Sequence, residues 1–226
     1  MTDPIARDPS PGVALFDLDG TLTWHDTLGA FLAGYVRRHP ARLPRLWRLA
    51  PAALEYLAAG RDRGRLKSRV IRAVLGGEPR ERIDAWADRF VEGMRGAGMF
   101  RPAALAALES HRAAGDHLVL LSASPDLYVP RIGRLLGFEL TLCTGVAWDA
   151  HTLDGRLTTP NRRGEEKSRC LQTLRGRFPG AAITAYGNSA SDLPHLRLAE
   201  RAVLVNGGGG ARRSAAAAGI PTALWT

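Results

Sequence analysis

The chain has 226 residues, of which 45% are hydrophobic, and carries 31 Lys or Arg against 22 Asp or Glu, for a formal net charge of +9. That length suits one α/β unit with a small second domain and enough chain to bury a sizeable core. No apolar segment approaches the length of a transmembrane helix, and the start, Met1 to Gly12, is polar and proline-rich without the apolar core of a secretory signal. Cys143 and Cys170 lack close metal-ligand spacing, so the chain reads as cytoplasmic with buried, reduced thiols.

The first element is a buried-strand pattern, Val13 to Phe16, that ends abruptly in Asp17 and Asp19, with Gly20 and Thr21 following. In an open α/β sheet the carboxyl end of a strand is where ligands bind. The Gly20 turn lets the chain curl so that both carboxylates converge, and two like charges in one small volume call for a cation between them. His25, Asp26 and Thr27 follow, where ordinary helix capping by Asp26 competes with a role at the site's entrance.

From Asp26 to Met99 apolar residues recur at spacings of three and four, as in Leu28, Phe31, Leu32, Tyr35 and Val36, with no convincing strand. This predicts a helical insertion. Leu28 to Arg72 holds eleven Arg or Lys against Glu55 and Asp62, a local net charge equal to the +9 of the whole chain. Arg42, Arg45 and Arg48 recur beside Leu43, Leu46, Trp47, Leu49 and Leu54, as in a basic amphipathic helix. Such a helix either solvates its arginines and packs its apolar side inward, or meets anionic lipid headgroups. Nucleic acid is the weaker third option, since no recognised motif accompanies the charge.

Leu118 to Leu121 reads as a second buried strand, running into Ser122, Ala123 and Ser124. A hydroxyl and backbone N–H groups there suit a phosphate oxygen, with an N-cap for a helix near Pro125 as the plain alternative. Leu140 to Thr159 alternates around Asp154-Gly155, predicting an antiparallel flap. Lys167 opens a helical pattern through Leu174, one of only two lysines among the 31 basic residues. A third strand, Ile183 to Tyr186, precedes Gly187, Asn188 and Asp192, oxygen donors four apart on a helix's first turn, as a hard cation takes. Two more strands are expected at Ala202 to Val205 and Thr222 to Trp225, separated by the flexible run Gly207 to Gly210. His195 draws notice only for its place beside the Asn188–Asp192 motif.

Asp17-Leu-Asp19-Gly20-Thr21, Ser122, Lys167 and Gly187-Asn188-Ser-Ala-Ser-Asp192 together resemble, in order, the four motifs of the haloacid dehalogenase superfamily of phosphohydrolases. The finer residues are similar to its phosphoserine-phosphatase-like branch, labelled IB. The resemblance implies an α/β, doubly wound parallel sheet from residues 1–25 and 100–226, with an inserted α-helical cap at 26–99 and a small β-hairpin flap. It also implies a Mg²⁺-dependent phosphomonoesterase acting on a small-molecule phosphate ester of the phosphoserine or histidinol-phosphate kind. Asp17 would be the nucleophile, Asp19 the general acid and base, and Lys167 a catalytic cation. Ser122, Ala123, Thr21 and Lys167 would bind substrate, and Asp17, Asp19, Asn188 and Asp192 would hold the metal. A lipid-phosphate phosphatase at the membrane surface and a non-catalytic phosphate-binding protein stay open as alternatives. Most family members carry aspartate where this chain has Asn188, so weaker metal binding with retained geometry is expected.

Overall fold

The computed structural model describes residues 11–48 and 62–226. The start of the chain and Leu49, Leu54 and Glu55 of the expected amphipathic helix lie outside the described residues.

β1 (Val13–Phe16) is an unbroken apolar run because it lies in the middle of a sheet covered on both faces. It pairs in parallel with β2 (His117–Pro125) on one side and β6 (Ile183–Gly187) on the other, Leu15 lying opposite Val119 and Ala185. β3 (Leu140–Thr144), β7 (Arg201–Val205) and β8 (Thr222–Ala223) complete a six-stranded sheet in the order β3-β2-β1-β6-β7-β8. Alternation along β1 divides the core. Val13 and Leu15 pack with Leu171 and Leu174 of α6 (Glu165–Arg177) and with Ala211 and Ala215 of α8 (Gly209–Ala217), whereas Ala14 and Phe16 face α4 (Pro102–Ala113) and α5 (Val129–Leu135). The chain turns in opposite directions from β1 toward β2 and toward β6, so the crevice at their carboxyl ends is the topological switch point.

The expected doubly wound sheet is present with one more strand than the sequence suggested. Leu140 to Thr144, assigned to the flap, instead joins the sheet edge, where Leu140 pairs with Val119. The flap is β4 (Val146–Asp149) and β5 (Thr152–Leu157) alone, and its turn falls at Ala150 and His151, not at Asp154-Gly155. Gly155 serves a different need. Its φ is +89°, and a Cβ there would lie 2.9 Å from the Cα of Arg72, so glycine permits the flap to press against α2 (Arg63–Leu75) of the cap. Ser68 donates to the Gly155 carbonyl at 3.0 Å and Arg72 pairs with Asp154, which binds flap to cap.

The insertion is helical, as expected: α1 (Thr27–Arg38), a tightly wound stretch Pro40–Arg48, α2 and α3 (Arg80–Gly96). Asp26 caps α1 by accepting from the Gly29 N–H at 2.7 Å. Phe31 of α1 stacks against Tyr128 of the core at 4.6 Å between ring centroids and against Trp86 and Phe90 of α3. Burying each such ring contributes about 1.5–3 kcal/mol to holding cap on core. The two core-to-cap crossings run side by side, Trp24 N–H donating to the Met99 carbonyl at 3.1 Å and Arg101 N–H to that of Leu22 at 2.9 Å.

Arg42 and Arg45 of the arginine stripe do not face solvent, and the side chain of Arg48 lies outside what the structure describes. Arg42 and Arg45 both donate to the Gly76 carbonyl at 3.0 Å, and Arg42 pairs with the buried Glu78. Three residues per turn keep a repeat of three on one side, and that side binds a helix C-terminus and a buried carboxylate.

Candidate active site

Asp17 follows β1, its N–H bonded to the Tyr186 carbonyl at 3.0 Å, so the pairing of β1 with β6 fixes where the carboxylate begins. The chain then curls through Gly20 at φ +81°, and the Thr21 hydroxyl returns to donate to Asp17 Oδ2 at 2.9 Å. Lys167, in the first turn of α6, donates to Asp17 Oδ1 at 2.6 Å and to Asp192 Oδ1 at 2.7 Å. All three groups are buried. Burial pushes the Asp17 carboxyl up to about 7 against the pull of Lys167, because it shares one ammonium with a second carboxylate. Burial also opposes ionisation of Asp192, yet the Lys167 charge and the hydrogen bonds of Lys167 and Ser189 outweigh it and hold that carboxyl below the usual range.

Asp19 occupies the other side of the cleft. Its Oδ1 accepts from the Thr27 N–H at 2.7 Å and the Thr27 hydroxyl at 2.6 Å, and its Oδ2 accepts from the Ser124 hydroxyl at 2.6 Å. Tyr128 completes the chain at 2.9 Å from the Thr27 hydroxyl. Burial raises the Asp19 carboxyl above its ordinary value, with the Ser124 and Thr27 bonds only partly offsetting it. A carboxyl so placed holds a proton more readily than a solvated one.

The structure gathers Asp17, Asp19, Ala123, Lys167, Asn188 and Asp192 around one cavity of about 190 Å³. Thr21 and Ser122 lie behind its wall. Thr21 instead fixes Asp17, and the Ser122 Oγ accepts from the Ser124 N–H at 3.0 Å, bracing the strand end rather than capping a helix, since β2 runs on through Pro125. Asn188 and Asp192 do not share a helical turn either. α7 (Leu193–Leu196) starts after them, and Asp192 Oδ2 gathers the loop by accepting from the N–H groups of Asn188 and Ser189 and the Ser189 hydroxyl. His195 is buried with its Nδ1 unpartnered among the described residues, and burial, then Lys167, push it down to about 3, so its ring is neutral. His25 is exposed and stands outside the cavity wall.

Sequence reasoning missed Lys67. From α2 of the cap it donates to the Ala123 carbonyl and to Asn161 Oδ1, each at 2.6 Å, and lines the cavity with Arg63 and Arg163. A signal was available: the only two lysines of the chain meet in this cavity. Ser124 was also passed over, although its hydroxyl holds Asp19.

The donor chemistry suits a hard divalent cation. Among the described residues no three Asp, Glu, His or Cys side chains form a metal cage. Two carboxylates, an amide and a main-chain carbonyl supply oxygen only, and at this end of the cavity Asp17 and Asp192 share the single Lys167 ammonium, leaving negative charge to be offset. Asp192 has spent Oδ2 on the loop, so its share would come through Oδ1. A Cβ on Gly20 would lie 1.9 Å from the Asn188 amide nitrogen, so the glycine makes room for this side chain beside Asp19.

Residues 14–197 match the family model for haloacid dehalogenase-like hydrolases. The chain belongs to the haloacid dehalogenase-like hydrolase family. It is 34% identical over 202 residues to Protein CicA of Caulobacter vibrioides, covering 88% of this chain and 87% of CicA. A crystal structure of a protein of unknown function from Bordetella pertussis superposes with a TM-score of 0.76 at 24% identity, covering 94% of this chain and 98% of that one. A phosphoserine phosphatase solved as a phospho-aspartyl intermediate analogue superposes with a TM-score of 0.64 at 15% identity, covering 90% of each chain. This hydrolase therefore shares its fold with those two proteins.

Proposed function

We propose that this hydrolase is a phosphomonoesterase that works through an aspartyl-phosphate at Asp17 and acts in the cytoplasm on a small-molecule phosphate ester of the phosphoserine or histidinol-phosphate kind. One observation carries the reading: two aspartates meet in one cavity, Asp17 clamped by an ammonium and Asp19 held by three donors with its carboxyl raised. Lys167 and Thr21 fix both oxygens of Asp17, so the carboxylate meets phosphorus in one orientation and loses little entropy on attack. As the O–P bond to Asp17 forms and the ester O–P bond breaks, Asp19 donates its proton to the leaving alkoxide. Asp19 then takes a proton from the water that cleaves the acyl phosphate. Lys167 and the Ala123 N–H stabilise the equatorial oxygens. Mg²⁺, when bound by Asp17, Asn188, Asp192 and the Asp19 main-chain carbonyl, supplies positive charge that offsets phosphate and Asp17.

The cavity of about 190 Å³ admits a phosphate with a short leaving group and no acyl chain. Lys67, Arg63 and Arg163 on one side suit an anionic leaving group, while Asp26 beside Leu28 suits an ammonium. A panel of phosphoserine, histidinol phosphate, sugar phosphates and phosphatidylglycerophosphate tests this. Turnover of phosphatidylglycerophosphate alone, or of nothing on the panel and no aryl phosphate, would overturn it.

Lys67→Met is expected to raise KM for an anionic substrate about tenfold while changing kcat for an aryl phosphate less than about threefold. Burial pushes the Lys67 ammonium down to about 8. The parent enzyme should therefore lose affinity for the anionic substrate as pH rises through that value and the charge is lost, and the methionine variant should lack that limb of its KM profile.

Asn188→Asp restores a negative charge at the metal position and should lower the Mg²⁺ concentration for half-maximal activity about tenfold. Titration of activity against Mg²⁺ reads this directly; an unchanged midpoint would place Asn188 outside the metal's reach.

A further inference from the structure

The stretch Pro40–Arg48 packs Leu46 on the core but divides its other side chains against expectation. Arg42 and Arg45 turn inward, onto the Gly76 carbonyl and Glu78, and in doing so leave Leu43 53% and Trp47 70% exposed, with Pro44 exposed between them. A segment that only had to solubilise the cap would place these groups the other way round. Positive charge gathers at the start of this stretch, where Arg38, Arg42, Arg82 and Arg89 surround His39. Arg37, Arg38, Arg82 and Arg89 are all exposed, and among the described residues Arg42 and Arg82 share Glu78 as their one acidic partner. Burial, then Arg82, Arg42, Arg89 and Arg38, hold the His39 imidazole below its usual value.

From this pairing of outward Leu43 and Trp47 with the arginines gathered at His39, we infer that the cap face around Pro40–Arg48 docks on an anionic lipid bilayer surface. Tryptophan sits favourably at the depth of lipid headgroups, leucine enters the acyl boundary, and the arginines meet lipid phosphates. The chemistry favours a bilayer over the other anionic surfaces. Nucleic acid offers phosphates but nothing to bury a leucine, and two side chains with one proline fall well short of the roughly 1,200 Å² that a stable protein interface buries. The cavity remains a site for short soluble esters, so the lipid is a place of residence and not the substrate.

Sedimentation of the full-length chain with vesicles tests the inference. Phosphatidylcholine vesicles containing phosphatidylglycerol should carry the protein down, vesicles of phosphatidylcholine alone should not, and added salt should weaken the binding. Leu43→Ala/Trp47→Ala should lower partition about tenfold or more, while turnover of a soluble aryl phosphate and the melting temperature stay at parental values. Brominated lipid should quench the parent more than Trp47→Ala. Absence of binding at low salt, binding indifferent to the double substitution, or binding to duplex DNA but not to vesicles would each overturn it. So would protection of Trp47 from acrylamide before vesicles are added, since another part of the chain would then cover this face.

Discussion

Asp17→Asn is expected to abolish turnover and, at the same time, to stabilise the metal-free protein. The loss of activity follows from chemistry: an amide oxygen does not form the acyl phosphate, so the rate should fall by about 10⁴ or more. The gain in stability follows from burial. Asp17 and Asp192 divide one ammonium, and the folded carboxyl of Asp17 is raised from 3.8 to about 7. A carboxyl raised on folding opposes the folded state once it ionises: the penalty is absent below about pH 4, grows as pH rises toward 7, and is complete above it. The asparagine variant should thus exceed the parent by about 1–3 kcal/mol at pH 8 and match it near pH 4. Thermal melts in chelator at the two pH values, beside an aryl phosphate assay, provide the measurement, and added Mg²⁺ should close the gap by stabilising the parent alone. A variant that melts below the parent at pH 8 would refute the account of a charge-strained cluster. One that keeps its turnover would refute the nucleophile.

The strands that meet at the site were legible because each is a short apolar run ending in polar residues, and burial on both faces writes that pattern directly into sequence. Asp17, Asp19, Lys167 and Asp192 could be read for the same reason, as charges set at the ends of such runs. What sequence did not show was where side chains spend their hydrogen bonds. Thr21 and Ser122 looked like groups aimed at a ligand, and the structure also gives them local partners: Thr21 restrains Asp17 and Ser122 braces its own strand end, as one oxygen of Asp192 gathers a loop. Local polar chemistry is alike in both uses, and only the third dimension separates them. Gly155 was misread because Asp-Gly is a strong hairpin signal, whereas here the glycine answers to contact with Arg72, 83 residues away along the chain. Lys67 was missed because it comes from the cap, and its place over the cavity depends on how α2 packs on the flap. The inward turn of Arg42 and Arg45 depends likewise on a carbonyl more than thirty residues distant.

Flap and cap are packed together over the site. β5 presses on α2 through Gly155, Ser68 and Arg72, and Asn161, just beyond the flap, receives Lys67. Any movement of α2 therefore carries the flap and withdraws Lys67 from Ala123, whereas Asp17, Lys167 and Asp192 belong to the core and stay in place. The groups proposed to bind the leaving group and those proposed to do the chemistry are in this way carried by different parts of the fold.

Lys167→Met should have the opposite effect on stability to Asp17→Asn, although it too should stop catalysis. Removing the ammonium strands two buried carboxylates that it holds at 2.6 and 2.7 Å, and breaking a buried ion pair from one side costs about 3–5 kcal/mol. That is a large part of the roughly 5–15 kcal/mol by which domains are stable, so the melting temperature should fall by about 10 °C or more. In the parent, Asp17 and Asp192 raise Lys167 above its ordinary 10.5 despite burial, so its contribution is fully present below that pH and is lost only as pH rises through the folded value. Asp192 is held below its ordinary 3.8, and its contribution is present above that pH and lost as acid protonates it. The deficit of the methionine variant should accordingly be widest near neutral pH and narrow toward pH 4, where the stranded carboxylates take up protons. Asp17→Asn/Lys167→Met leaves a single unpaired carboxylate in place of two, so it should melt above Lys167→Met by more than Asp17→Asn melts above the parent. The two changes would then be strongly non-additive, because they act on one shared charge. Additive melts, or a methionine variant as stable as the parent at pH 7, would mean that the ammonium does not hold these carboxylates together, and the proposed orientation of the nucleophile would fall with it.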